Sequence, residues 1–413
     1  MLKQRRRRSS MTRCILCRGA HMLCGKARCP VLEKTAVMAR LYLKYHVSDS
    51  LEGSSPPTVF VGRIGYPAVF VGPLAPPWRG DTSLMDLPEA WFGIDWNQLL
   101  EWRLAMHHGR RKVRVTDINN RFVLQLQDLS LSARPVDVEM VFRKPPRPRI
   151  QLSEEAQPFG PAATLRAFHA DPGPADRFLE RVYYDTDLRA ADAILELYHR
   201  GVPVSRIQRV LSLGMLGTAR WRRLVPTRWS ITAVDDTIGR KLMEQVRRLP
   251  VLSEYLLYTS RQLGNLFMVI LLPEAWSYEL IEAWAPGSFW NPFRKTAAVG
   301  DYEEFRGRTT YARIGGCYYA ARLAVCEHLL RIRRQATAIV LREIYPQYIM
   351  PVGVWNVRES VRQALRNPPL RFASLTELLD AIDRTARYGV QFWLNRSRLL
   401  QRHLRQQRLQ IPT

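Results

Sequence analysis

Sixteen residues near the amino terminus, CILCRGAHMLCGKARC from Cys14 to Cys29, hold four of the six cysteines of a 413-residue chain. The spacing is Cys14-x2-Cys17-x6-Cys24-x4-Cys29. A CxxC turn offers two thiolates from one side, and two further thiolates fold back to close a tetrahedron, the arrangement zinc takes with sulfur bonds of about 2.3 Å. Gly19 and Gly25 let the backbone bend between ligands, and His21 is a fifth potential donor. A closed four-thiolate set leaves no open position for a substrate, so a structural zinc knuckle is expected rather than a catalytic metal. Two alternatives stay open: disulfides, which a reducing intracellular setting disfavours, and an iron–sulfur cluster, which four thiolates alone do not exclude.

Charge is the next constraint. The formal net charge is +25 and the sequence pI about 10.4. Only eight of the 62 basic residues are lysine, leaving 54 arginines, whose planar fork suits phosphate. DNA or RNA is the expected partner; the competing reading is an arginine bias set by genome composition or growth temperature. The longest apolar run, Leu263 to Leu272, reads as a buried strand and is too short to span a bilayer, and the start MLKQRRRRSSMTRC lacks the apolar stretch of a secretory signal. A cytoplasmic protein with no membrane segment, of two or three domains, is therefore expected.

Along the chain, residues 1–13 read as a disordered basic arm, and Val31 to Tyr45 shows helical spacing after the cysteine loop. Ser48 to Pro57 reads as a polar connection. Thr58 to Pro73, TVFVGRIGYPAVFVGP, repeats VFVG about a Gly/Pro turn and predicts a β-hairpin with Arg63 at its tip, either a core element or a phosphate contact. Trp78, Trp91, Trp96 and Trp102 read as core, with base stacking as the alternative. His107 to Arg114, containing Arg110, Arg111 and Lys112, reads as a charged loop that is either solvated or touches phosphate. Lys144 to Arg149 and Pro158 to Pro174 are proline-rich and extended.

Beyond Ala175 helices dominate, including Ala190 to His199 and Val204 to Leu213. The segment Gly214 to Gly239 mixes anion clamps (Arg220, Arg222, Arg223, Arg228) with Ser230 and the Asp235-Asp236 pair. The aspartates are expected at the start of a helix from Thr237 to Arg248, either capping it or serving as metal ligand or base. Glu303 and Glu304, beside Arg306 and Arg308, form ion pairs or do acid–base work. Cys317 and Cys326 read as core thiols on one helix, Ala336 to Ile344 as a strand, and Ser374 to Leu409 as two helices, the first opened by the capping box Ser374-Leu-Thr-Glu377.

Four stretches together, the CxxC…LCG…CP loop, the FVGRIGYP hairpin, RWSITAVDDTIG and DYEEFRGRTTYARIGGCYYAARLAV, make the chain resemble the archaeal Nre family of DNA repair proteins through nearly its whole length. The resemblance implies that Cys14, Cys17, Cys24 and Cys29 are zinc-finger ligands, that the region to about residue 290 is the Nre amino-terminal domain and that the remainder is the carboxy-terminal one. Some members end in a short peptide that docks on the sliding clamp; this tail offers Gln401 and Leu404 but Gln407 and Arg408 where aromatics belong, which speaks against clamp binding.

The expected fold is α+β: a zinc knuckle with its following helix (14–45), a mixed α/β central domain (46–290) and a mostly helical carboxy-terminal domain (291–413). The expected function is a zinc-containing, DNA-binding repair factor, with Arg63, Arg110, Arg111, Lys112, Arg220, Arg222 and Arg223 as nucleic-acid contacts. Two rivals remain. One is an enzyme acting on nucleic acid or a phosphate-bearing nucleotide through Arg228, Ser230, Asp235, Asp236, Glu303 and Glu304; the other is a scaffold that recruits repair proteins.

Overall fold

The computed structural model describes residues 16–17, 21–23, 29–45, 47–147, 160–288, 291 and 294–410. The chain divides into two compact units, Pro30–Ile238 and Gly239–Thr413, the latter taken with Met1–Cys29.

The first unit starts with helix α1 (Pro30–Lys44) and builds a six-stranded mixed sheet in the order β1-β5-β6-β4-β3-β2. Its strands are β1 (Ser50–Ser55), β2 (Thr58–Val61), β3 (Ala68–Ala75), β4 (His107–Arg114), β5 (Val136–Phe142) and β6 (Ala162–Ala170), and only β4 and β6 pair in parallel. β5 alternates as the period of a half-covered strand demands, with Val136, Val138, Met140 and Phe142 buried. Helix α2 (Trp96–Ala105) begins where Asp95 accepts from the amides of Asn97 and Gln98, and α3 (Arg121–Leu131) begins where Asn120 accepts from Phe122. Helices α4 (Arg177–Tyr184), α5 (Ala190–His199) and α6 (Val204–Ser212) follow β6.

Three expectations change here. Ser50–Ser55 is a strand, not a connection: its serines and glycine carry no β signal, but a Cβ on Gly53 would fall 1.9 Å from the Pro76 carbonyl oxygen, so the close approach of that segment requires glycine. His107 to Arg114 is a strand rather than a charged loop, its two-residue period hidden because both faces carry charge. Helix α7 (Thr227–Val246) starts ten residues before the expected Thr237, directly after Pro226, whose carbonyl accepts from Trp229 and Ser230. Asp235 and Asp236 therefore lie inside the helix and do not cap it.

The second unit holds another six-stranded sheet, in the order β10-β9-β11-β8-β7-β12. The strands are β7 (Tyr255–Gln262), β8 (Asn265–Leu272), β9 (Ser277–Trp284), β10 (Ala297–Glu303), β11 (Thr337–Ile344) and β12 (Leu370–Phe372). Every residue of β8 and β11 is buried, which is why β8 reads as an unbroken apolar run. One face, carrying Met268, Ile270, Ile281 and Leu341, packs under α10 (Leu375–Thr385), α11 (Gly389–Leu394) and α12 (Arg398–Gln410). Helices α8 (Gly316–Arg331) and α9 (Trp355–Arg366) pack together, and α9 also meets β7 and β8. The tail thus forms three helices where two were expected, interrupted at Gly389, whose φ is +71°. Ser374 does cap α10, its hydroxyl accepting from the Glu377 amide at 3.3 Å. Among the described residues no helix is long and apolar enough to cross a membrane.

Candidate nucleic-acid interface

The hairpin of β2 and β3 pairs Val61 with Val71 and turns through residues 62–67, where Arg63, Ile64, Gly65, Tyr66 and Pro67 are all exposed. A left-handed Gly65, φ +86°, allows the tight turn. Three hydrogen bonds fix it in place. Val61 N–H donates to Thr227 Oγ1 at 3.0 Å, Val115 N–H to the Pro67 carbonyl at 2.9 Å, and Leu224 N–H to the Val115 carbonyl at 2.8 Å. The turn is so held against the first turn of α7, and the rings of Tyr66 and Trp229 meet at 5.3 Å between centroids. Tyr66 is 46% exposed, Trp229 47% and Ile64 85%. Arg63 stands three residues before Tyr66, and Arg228, also exposed, precedes Trp229.

The neighbouring strands extend this surface. Phe70 on β3 lies opposite Lys112 on β4, and the Arg110 guanidinium sits 4.6 Å from the Phe70 ring. Because side chains alternate, Arg110, Lys112 and Arg114 share one face of β4. Arg111 is used on the other face: it lies 4.8 Å from the Phe122 ring and donates to the Arg166 carbonyl at 2.5 Å. His107 is buried and His108 half-buried at the start of the strand. Burial pushes the His107 imidazole down to about 4, and burial with the nearby Arg110 charge pushes His108 down to about 3, so neither offers a positive charge at neutral pH.

The remaining predicted residues fall into different settings. Arg222 gives its guanidinium to three backbone carbonyls, those of Gly217 (2.7 Å), Tyr183 (2.7 Å) and Asp185 (2.8 Å), and so ties loops together. Arg220 and Arg223 are exposed, with Arg220 5.3 Å from the Trp221 ring, itself 61% exposed. Ser230 is fully buried and donates to the Thr227 carbonyl at 3.0 Å. Asp235 is equally buried, accepting from Gln208 Nε2 at 2.9 Å. Arg228 therefore shares a helix with Ser230 and Asp235 but not their surroundings. In the other unit Glu303 is buried against Arg322 at 2.9 Å, and Glu304 pairs with Arg402. Tyr66, Trp229 and Ile64 went unnoticed in the sequence, although an exposed-turn position for the first and third was already implied by the hairpin.

Of the cysteine cluster, Cys17 and Cys29 are described and both are buried, while Cys14 and Cys24 lie outside the described residues. Among the described residues no group of three or more His, Cys, Asp or Glu is placed to hold a metal. Cys317 and Cys326 lie on α8, where burial raises both thiols well above their ordinary range; Cys326 is the core cysteine expected, while Cys317 is half-buried. In the tail, Gln401 Nε2 donates to the Leu394 carbonyl at 2.8 Å and Leu404 packs against the core, so both side chains are used within the fold. Residues 411–413 lie outside the described residues.

The family model for the archaeal Nre amino-terminal region matches residues 23–291, and that for the archaeal Nre carboxy-terminal region matches residues 303–411. Their boundary falls within the second sheet, dividing β7, β8 and β9 from β11 and β12. The DNA repair protein NreB of Archaeoglobus fulgidus is 44% identical over 391 residues, which is 94% of this chain and 97% of that protein. The DNA repair protein NreA of the same organism is 37% identical over 376 residues, covering 90% and 93% of the two chains. The DNA repair protein NreA of Haloferax volcanii is 38% identical over 328 residues, covering 76% and 78%. No solved structure matches.

Proposed function

The chain belongs to the archaeal Nre family, and from that premise we propose that it acts in DNA repair by binding DNA across the hairpin surface of residues 30–238. The observation that carries this reading is the exposed Tyr66–Trp229 ring pair, 5.3 Å apart, with the exposed Arg63 in the same turn as Tyr66 and the exposed Arg228 preceding Trp229. Exposed rings offer bases a stacking platform, worth about 1–3 kcal/mol per base, while Arg63, Arg110, Lys112 and Arg228 neutralise phosphates. The buried positions of Ser230 and Asp235 give no support to catalysis there.

The test is fluorescence anisotropy with a labelled single-stranded oligonucleotide and its duplex across a salt series. Affinity falls linearly on a log–log plot, and Tyr66→Ala with Trp229→Ala weakens binding by about tenfold or more, with an unchanged melting temperature. A flat salt dependence, or full affinity in the double variant, would overturn the reading.

The four cysteines Cys14, Cys17, Cys24 and Cys29 suit one structural zinc ion, and the burial of Cys17 and Cys29 agrees with thiolates shielded from solvent. Purified protein then carries about one zinc per chain. Cys14→Ser with Cys17→Ser loses it; retention of the metal by that variant would remove these residues as ligands.

A further inference from the structure

The second unit contains an open cleft of about 640 Å³ that has no part in the hairpin surface. It lies between the β7–β8 turn and the carboxy-terminal end of α10, and its eleven lining residues include Arg261, Arg384 and Arg387 but no carboxylate. All three arginines are exposed.

The frame around them is firmly built. Leu263 and Gly264 close the β7–β8 hairpin with φ of +47° and +73°, the left-handed pair that a two-residue turn uses. A Cβ on Gly264 would stand 2.4 Å from the Tyr348 nitrogen, and Tyr345 N–H donates to the Gly264 carbonyl at 2.9 Å, so the turn is seated against residues 345–348. The Arg387 guanidinium lies 5.7 Å from the Tyr345 ring.

Two carboxylates adjoin this wall, the buried Glu343 and the exposed Asp383, and both accept hydrogen bonds from the frame. Glu343, fully buried, accepts from the Tyr345 hydroxyl (2.5 Å) and from the amides of Arg387 (3.0 Å) and Tyr388 (3.4 Å). Asp383 accepts from the Val390 amide at 2.7 Å. Three guanidinium charges against the carboxylates of Glu343 and Asp383 leave an excess of about one positive charge at a concave site, which focuses the field on a compact anion.

We propose that this cleft binds a phosphomonoester, the terminal phosphate of a nucleotide or of a nucleic-acid strand. A phosphomonoester carries about −1.5 to −2 charges at neutral pH and presents three acceptor oxygens, which suits a cleft lined by three arginines. A phosphodiester backbone spreads single charges along a line and matches less well. The volume is within the range that holds a small ligand, about 300–1,000 Å³.

The experiment is titration calorimetry on the full chain with inorganic phosphate, adenosine 5′-monophosphate, and one oligonucleotide with and without a 5′-phosphate. All phosphate-terminated probes bind, and Arg384→Gln or Arg387→Gln weakens each by about tenfold, with the melting temperature of the free protein unchanged because the side chains are exposed. If the mononucleotide binds as tightly as the phosphorylated oligonucleotide, the ligand is a free nucleotide. If the 5′-phosphate strengthens oligonucleotide binding about tenfold and Arg384→Gln abolishes that gain, the ligand is a strand end. The proposal falls if inorganic phosphate and the mononucleotide do not bind, or if all probes bind equally to wild type and to the triple variant Arg261→Gln, Arg384→Gln, Arg387→Gln. The Tyr66→Ala and Trp229→Ala variants leave the binding of inorganic phosphate and the mononucleotide unaltered, so failure here is distinct from failure of the hairpin surface.

Discussion

Arginine serves two opposite purposes, most plainly seen by setting the second sheet beside the hairpin. In residues 239–413 three arginines are interior: Arg322 pairs with Glu303 at 2.9 Å, Arg342 with Glu282 at 2.7 Å and Arg358 with Glu359 at 3.0 Å, all almost completely buried. In residues 30–238 the arginines of the hairpin turn and α7 start, Arg63 and Arg228, face solvent beside exposed rings. The cause is the covering of the sheets. β8 and β11 are buried along their whole length, so a charge among them must be paired, whereas β3 and β4 leave Phe70 and Lys112 open. A net charge of +25 is thus a poor count of the phosphates this chain can hold. Only exposed cations release counterions on binding DNA.

The largest effect expected from this contrast is on stability. Arg342 is buried, which alone would lower its pKa, but Glu282 beside it more than offsets that and holds the guanidinium charged. Glu282→Leu removes the carboxylate and costs about 3–5 kcal/mol, read by chemical denaturation; adding Arg342→Met restores most of it. A loss below about 1 kcal/mol would show that the second sheet does not depend on its internal pairs.

Acid destabilises the two units unequally. His107 and His108 are held at about 4 and about 3, below the ordinary 6.5, while the second unit has His328 lowered to about 4 by burial and the Arg331 charge. Well above pH 6.5 folded and unfolded chains both leave these rings neutral. As pH falls below that value, the unfolded chain takes up protons that the folded one refuses, so stability declines toward pH 3–4. The slope approaches about 1.4 kcal/mol per pH unit for each histidine. Thermal melts between pH 7 and 5 measure it, and His107→Gln with His108→Gln flattens the profile more than His328→Gln does. A midpoint that does not move with pH would refute the assignment.

What the sequence disclosed follows the same division. The hairpin at 58–73, the apolar β8, the α5–α6 pair and the Ser374 cap were legible because each signal is local: repeated Val and Phe, an unbroken apolar run, helical spacing, a Ser-x-x-Glu step. β4 was not, since charges on both faces mask a period of two. The start of α7 could have been read from Pro226-Thr227. With that start, Ser230, Val234, Ile238, Leu242 and Val246 form a stripe four residues apart, and helical phase puts Asp235 beside it in the interior. The meeting of Tyr66 with Trp229 could not have been read at all, because periodicity is silent about contacts between distant segments. RWSITAVDDTIG was thus the right stretch, but its exposed ring and arginine, not its hydroxyl and carboxylate, form the surface.

The smallest expected effects carry the contrast down to one strand. Arg111 and Lys112 are adjacent on β4 and point to opposite faces, the first engaging Phe122 and the Arg166 carbonyl, the second exposed opposite Phe70. Lys112→Gln lowers the salt slope of DNA binding by about one and leaves stability unchanged, since a phosphate contact contributes through counterion release. Arg111→Gln does the reverse: it removes a hydrogen bond and a cation–ring contact, costs about 0.5–1.5 kcal/mol of folding stability and leaves the slope alone. Equal effects of the two on the slope would mean that both faces of β4 meet the nucleic acid. The ring pair at the hairpin tip would then mark only one margin of a wider interface.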